Sequence, residues 1–413
     1  MLRRTLLAAA LLVALPLAAQ AADPTWPAVN AALDPYVERA ELAGMVTLAL
    51  HKGRVVHASA VGKRDLATGA PMQMDTIVRA FSMTKPVTAV AMGILRDEGK
   101  WKPEDPIAKF LPELADLKVF KGMGPDGKPI LEAPKSPPTV GQIMTHTAGF
   151  AYGFEAGYVE EQYRANSPIR ARTSQEVIQR IAALPLAYEP GERWKYSIAM
   201  DVQGLIIERI TGKSLPEFMQ SRLFGPLKMV DTGFYVPAAK RDRFATLYEW
   251  KDSKLQVPAA DSMFASAYDK VPGFASGGGG LVTTASDYSR FAQMLLNGGT
   301  LDGKRILKPA TAREIMTSHL SPQIVNGGFG IGIQRIRPGY EYGYNGVVVT
   351  DPAAAKVAMG KGSYLWDGAA GTWFWVDPEN QIVFVGLVQR LMGMGFPPLQ
   401  PVSQQAVKSS LGK

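Results

Sequence analysis

The chain has 413 residues, 46% of them apolar and 20% charged, with a formal net charge of +8. That length suits one large domain or two smaller ones, and the composition excludes a disordered chain, a collagen-like repeat and a small disulfide-stapled scaffold. No run of five or more Lys or Arg interrupts the chain, so the charge is a diffuse excess and no nucleic-acid partner is expected.

The first residues read as an export leader. Arg3 and Arg4 give a positive start, Leu6 to Leu17 is apolar, and Ala19-Gln20-Ala21 is a small-x-small cleavage site. The apolar run is shorter than the ~20 residues a spanning helix needs, so residues 1–21 are expected to be removed. The mature chain, 22–413, would then carry a charge of +6, no membrane anchor, and a periplasmic or secreted address. Trp26 to Ala40 has helical spacing, interrupted at Pro35. Met45–Leu50 and Arg54–Val61 are strand-like runs joined at Lys52-Gly53, a hairpin. Thr84 to Glu98 is a helical pattern that stops at Gly99. Lys121 to Pro138, rich in Gly, Pro and Lys, reads as a surface loop. Helices are expected over Ser174–Ala183, Met200–Thr211, Leu215–Leu223 and Ser286–Asn297, the last with Ser286 as N-cap. Thr372–Val376 and Ile382–Val388 form a second hairpin around Asp377-Pro-Glu-Asn380. Strands at both ends with helices between them predict an α/β sandwich. Its antiparallel sheet would come from about 26–80 and 280–390, flanked by helices, with a mostly helical insert over about 85–275.

There are no cysteines, which removes disulfides, thiolate metal sites and cysteine nucleophiles together. The four histidines, His51, His57, His146 and His319, form no His-Glu-x-x-His run, so no metal or cofactor is expected. The sharpest local signal is Ser82-Met-Thr-Lys85, opening the Thr84 helix. At i and i+3 the two side chains share a face. A serine hydroxyl becomes a nucleophile when a neighbour takes its proton, and a lysine can do so once burial makes it neutral. Free N–H groups at a helix start can also stabilise an oxyanion. The alternative is a helix cap followed by a surface lysine. Tyr196 lies just past the Pro190-Gly191 turn, and its phenol is either a proton shuttle or a satisfied core hydroxyl.

Five segments in order resemble the serine β-lactamase-related family, which takes in class C β-lactamases, D-alanyl-D-alanine peptidases and β-lactamase-like carboxylesterases. They are Phe81-Ser-Met-Thr-Lys-Pro86, Ile143-Met-Thr-His-Thr-Ala-Gly149, Pro190-Gly-Glu-Arg-Trp-Lys-Tyr-Ser197, Ser276-Gly-Gly-Gly-Gly-Leu281 and Gly368-Ala-Ala-Gly-Thr-Trp-Phe-Trp-Val-Asp-Pro378. The resemblance implies Ser82 as acylated nucleophile, Lys85 as its activating neighbour and Tyr196 as general base, then acid. It implies an oxyanion hole from the Ser82 and Ala369 N–H groups. The third motif, Lys/His-Thr/Ser-Gly in β-lactamases and peptidases, is Trp366-Asp367-Gly368 here, and a Trp at its first position looks like the esterase branch. The second motif ends as Tyr196-Ser197-Ile198, without the usual amide.

Both departures favour acyl-ester chemistry. A β-lactam carboxylate needs a partner on binding, and Trp366 would offer an apolar plane instead. Arg193 or Lys195 could still reach such a carboxylate from the far wall. With no Gly-x-Ser-x-Gly elbow in the chain, His146 is read as a structural histidine rather than a triad member. Gly277–Gly280, without a following Lys-Ser/Thr, is read as a place of close backbone approach. Tyr340, Tyr342 and Tyr344 alternate as on a strand, facing either substrate or core. The expected protein is an exported serine hydrolase acting on small-molecule carboxylic esters. The rivals are β-lactam or D-amino-acid peptide hydrolysis, and a catalytically silent protein that binds cell-wall fragments.

Overall fold

Gly44–His51 is buried at every position but its last, as a strand covered on both faces must be, and forms β1. Lys52 and Gly53 take positive φ of 52° and 75°, which turns the chain tightly onto β2, Arg54–Gly62. The other strands of this sheet come from the far end of the sequence: β3 Tyr340–Tyr342, β4 Val347–Val349, β5 Tyr364–Asp367, β6 Trp373–Asp377 and β7 Ile382–Val388. The order is β3-β4-β5-β6-β7-β1-β2, antiparallel at every pairing. Met45 pairs with Val388 and His51 with Ile382, so the two ends of the chain share one sheet as expected. This is a computed structural model, and it describes residues 26–327, 330, 331, 334, 335 and 338–411. The expected leader, 1–21, lies outside the described residues.

Five helices frame the sheet and the helical half of the molecule: α1 Pro27–Leu33, α2 Thr84–Asp97, α3 Ala199–Thr211, α4 Ala285–Leu296 and α5 Leu399–Leu411. The pleat of β6 sends Trp373 and Phe374 to opposite faces. Phe374 meets Tyr288 of α4 edge-on at 4.9 Å, while the Trp373 indole N–H donates to Ser403 of α5 at 3.2 Å. Helix α1 packs on α5, so the sheet is covered on both sides. This is the expected α/β sandwich, an antiparallel sheet flanked by helices. Helix α2 is buried from Thr84 to Leu95 and leans on α3. None of the helices among the described residues is long and apolar enough to cross a membrane.

Three local expectations need correction. The surface loop of Lys121 to Pro138 contains a hairpin, Val119–Met123 with Pro129–Glu132, turned at Gly127 with φ of 75°. Its Phe120 stacks on Tyr158 at 4.9 Å, a tertiary contact that the Gly-, Pro- and Lys-rich composition hides. The N-cap of α4 is Thr284, whose Oγ1 accepts from the Asp287 N–H, and Ser286 is already helical. The Leu215 helix ends at Met219, and Gln220–Phe224 continues as a wider π turn.

Candidate active site

Ser82 sits in a 3-10 turn, Phe81–Met83, that feeds directly into α2. Phe81 holds φ at 44°, in the left-handed region that a bulky side chain rarely occupies, and its ring packs edge-on against Phe264 at 5.8 Å. One turn on, Lys85 is 1% exposed, its Nζ 3.1 Å from Ser82 Oγ and donating to the Gly278 carbonyl at 2.8 Å. Tyr196 arrives from the other side, with Oη 2.7 Å from Ser82 Oγ. Two backbone bonds place it: Lys195 N–H to the His146 carbonyl, and Ile198 N–H to the Ala151 carbonyl. The helix start and the segment before α3 therefore converge on one hydroxyl.

Burial acts in opposite directions on its two partners. It lowers the Lys85 ammonium to about 7, against the pull of Asp201 and Asp367. It pushes the Tyr196 phenol up, with the Ser82 hydrogen bond working the other way. Near neutral pH, Lys85 is close to half protonated, while Tyr196 remains a phenol. The Lys85 Nζ also lies over the rings of Tyr196 and Tyr152, 4.5 and 5.3 Å from their centroids. Asp201, in the first turn of α3, accepts from Ser276 Oγ at 2.5 Å and from the Gly278 N–H at 3.2 Å. It thereby aims the Gly278 carbonyl at Lys85. Asn345 Nδ2 donates to the Lys85 carbonyl at 2.9 Å and exchanges hydrogen bonds with the Gln203 amide.

The N–H groups of Ser82 and Ala369 have no acceptor among the described residues. Both residues line the same cavity, and Gly368 sits at the junction of their two segments. A Cβ there would stand 2.3 Å from the Ala80 carbonyl and 2.4 Å from Thr372 Oγ1, so only glycine lets the end of β5 lie against the chain before Ser82. The four glycines Gly277–Gly280 also serve close approach. A Cβ at Gly277 would meet the Met200 carbonyl at 2.4 Å, and one at Gly278 would meet Tyr152 Oη at 2.7 Å.

Ser82 and Tyr196 open onto a cavity of about 1370 Å³, whose walls include Asp367 and Ala369. Trp366 and Gly368 are not among its lining residues. Trp366 is a correction to the expected pocket wall. The pleat sends Asp367, with its cross-strand partner Trp373, to the cavity, and buries Trp366 against Tyr196 at 5.8 Å and Tyr342 at 5.6 Å. Trp366 backs the phenol rather than the substrate. None of Tyr340, Tyr342 and Tyr344 lines the cavity. Tyr342 packs on His146 and Trp194, and Tyr344 stacks on His319. His146 is buried, with Nδ1 3.1 Å from Ser197 Oγ and its ring 4.9 Å from that of Tyr196. Burial, with Lys85 nearby, holds it well below the usual imidazole range, so it stays neutral. Lys195 is tied to Glu155 at 2.5 Å and Glu160 at 2.7 Å, and Arg193 to Glu192 at 3.1 Å. Neither lines the cavity. No group of three His, Asp or Glu side chains among the described residues could hold a metal ion.

Sequence reasoning missed Tyr152, Asp201 and Asn345. Each is a lone residue whose place at the site comes from tertiary packing, and no local pattern announces it.

The comparisons with known proteins agree with this architecture. Residues 29–404 match the Beta-lactamase family. Protein Rv1367c of Mycobacterium tuberculosis is 36% identical over 353 residues, covering 84% of this chain and 86% of that one. Esterase EstB of Burkholderia gladioli is 30% identical over 368 residues, again 84% and 86%. Among solved structures, EstCE1, described as a hydrolase with promiscuous acyltransferase activity, superposes with a TM-score of 0.78 at 25% identity, over 92% of this chain and 97% of its own. A match running from α1 into α5, over a sheet and a serine–lysine–tyrosine cluster of this form, makes the chain a member of the beta-lactamase family.

Proposed function

We propose that the protein is an exported serine hydrolase that cleaves carboxylic esters through an acyl-enzyme at Ser82. The observation that carries this is the placement of Ser82 Oγ within hydrogen-bond reach of both Lys85 Nζ and Tyr196 Oη, at the wall of a large cavity. Neutral Lys85 takes the proton of Ser82, with the Tyr196 phenol in the same hydrogen-bonded cluster. Ser82 Oγ bonds to the ester carbonyl carbon, and the oxygen that becomes negative is received by the Ser82 and Ala369 N–H groups. Tyr196 hands a proton to the departing alkoxide and is reprotonated from Lys85. Water then repeats the sequence on the acyl-enzyme and releases the acid. The export leader of residues 1–21 belongs to this proposal, and N-terminal sequencing of the protein recovered from outside the cytoplasm tests it.

Esters are preferred over β-lactams on charge. The cavity wall carries the half-buried Asp367, its lining cation Lys270 is exposed beside Asp269, and Lys195 and Arg193 are engaged elsewhere. The expected kcat/KM for p-nitrophenyl butanoate exceeds that for benzylpenicillin by at least ~100-fold, about 2.7 kcal/mol of discrimination. Comparable turnover of the two would overturn the ester reading. A fluorophosphonate should add one adduct to the intact mass, and Ser82→Ala should abolish both the adduct and turnover, a loss on the order of 10⁶ in kcat. Labelling retained in that variant would move the nucleophile elsewhere.

A further inference from the structure

Asp367 is the least expected group in the cavity. It closes β5, one residue before Gly368 and two before Ala369, and it lines the cavity together with Ala369 and Ser82. It is half-buried, and no hydrogen bond or ion pair to its carboxylate is made by any described residue. Burial raises it to about 6, with Lys85 opposing, so it is ionised above neutrality. Lys85 is the cation whose charge opposes that rise, and burial holds it down to about 7 while it donates to Ser82 and the Gly278 carbonyl instead. The other charged lining side chains, Asp269 and Lys270, are exposed and adjacent to each other in the chain.

A carboxylate that accepts no hydrogen bond in a semi-enclosed space is costly, and the cavity is rich in aromatic side chains. Phe81, Tyr152, Phe264, Tyr268 and Trp373 all line the same cavity. A carboxylate and an aromatic-rich lining together suit one class of ligand, an organic cation with an apolar coat. We propose that Asp367 is a specificity-determining residue that selects esters carrying an ammonium or trimethylammonium group close to the scissile bond, and rejects those carrying a carboxylate there. The inference rests on the assignment of ester hydrolysis to Ser82 and adds the substrate class.

Two matched substrate pairs test it at pH 8, one for each side of the ester. Butyrylcholine is compared with 3,3-dimethylbutyl butanoate, and p-nitrophenyl 3-aminopropanoate with p-nitrophenyl butanoate. In the wild type, kcat/KM for the cationic member should be at least tenfold the higher in one pair or both. Asp367→Asn should bring that ratio close to one, and Asp367→Glu should keep most of it. A change in Lys85 basicity affects both members of a pair and cancels in the ratio. Butyltrimethylammonium should also inhibit neutral-ester hydrolysis competitively, and more strongly than 3,3-dimethylbutanol, a measurement that needs no variant. Turnover of neutral esters with no cation preference in either pair, or a preference unchanged in Asp367→Asn, overturns the proposal alone. Absence of turnover with all four esters overturns the esterase reading and the proposal with it.

Discussion

Ser82 has two proton partners, and burial separates their tasks. A lysine surrounded by protein loses its proton easily, whereas a buried phenol keeps its own. Lys85 at about 7 is therefore the group whose ionisation should govern the free enzyme. Below that value the ammonium has no room for the serine proton, and above it the amine does. We expect kcat/KM for a neutral ester to rise with pH through an apparent pKa near 7, measured by initial rates between pH 5.5 and 9. A flat profile over that range would remove Lys85 from the proton path. Lys85→Arg should be nearly as inactive as Lys85→Ala, because arginine keeps its charge in a protein at any of these pH values. Trp366 marks the limit of what single residues reveal. Its type was legible and its strand was foreseeable, yet which of two neighbouring residues faces the cavity depends on the phase of the pleat against β4 and β6. A one-residue change of phase exchanges Trp366 with Asp367.

At the scale of elements, the site is a meeting of two ends, the turn into α2 and the exit from β5. Gly368 fixes their separation, since its missing Cβ is what admits the Ala80 carbonyl and Thr372 Oγ1. Gly368→Ala must push these segments apart and displace the Ala369 N–H from Ser82. Its kcat should fall by ~10²–10³, as on losing one oxyanion donor, with a stability loss of about 1–3 kcal/mol from overpacking. Stopped assays and thermal unfolding on the same sample separate the two effects, and a kcat within threefold of wild type would refute this role for Gly368. Helix α2 was legible in the sequence because its pattern and its Gly99 stop are local. So were β1 and β2, because their hairpin turn is two residues long. The Val119–Glu132 hairpin was not, because its ladder is short and its outer residues Met123, Ile130 and Leu131 are exposed, leaving no apolar alternation to read. Asp201 and Asn345 lie in different segments of the chain, and only the packing of α3 and of the residues after β3 on α2 reveals what they hold.

Across the whole molecule, two histidines are stored neutral in the interior. His57, in β2, is held down to about 4 by burial, with its Nε2 2.8 Å from Thr47 Oγ1 of β1. His146 is lowered in the same sense. In the unfolded chain both would take up a proton near 6.5. Stability is therefore intact above that value and lost as the pH falls toward the folded-state pKa, on the order of 3 kcal/mol for His57 alone. The melting temperature should drop between pH 6.5 and 4. His57→Gln, which cannot titrate, should drop less over the same interval, with His146, His319 and His51, all lowered by burial, contributing to the remainder. Equal losses in the two proteins would exclude His57 as a source of acid sensitivity.

The pairing of β1 with β7 has a consequence in time. Residue 45 waits for residue 388 before the middle of the sheet can close. Such distant pairings fold late, because the entropy of closing a long loop is lost before the contact is gained. Asp367 and Ala369 enter the cavity only with that closure, so a nascent chain carries Ser82 and Lys85 without the donor and the anion that complete the site. Synthesis from the amino terminus thus yields an unfinished site, which is assembled only when the tail of the polypeptide has threaded home.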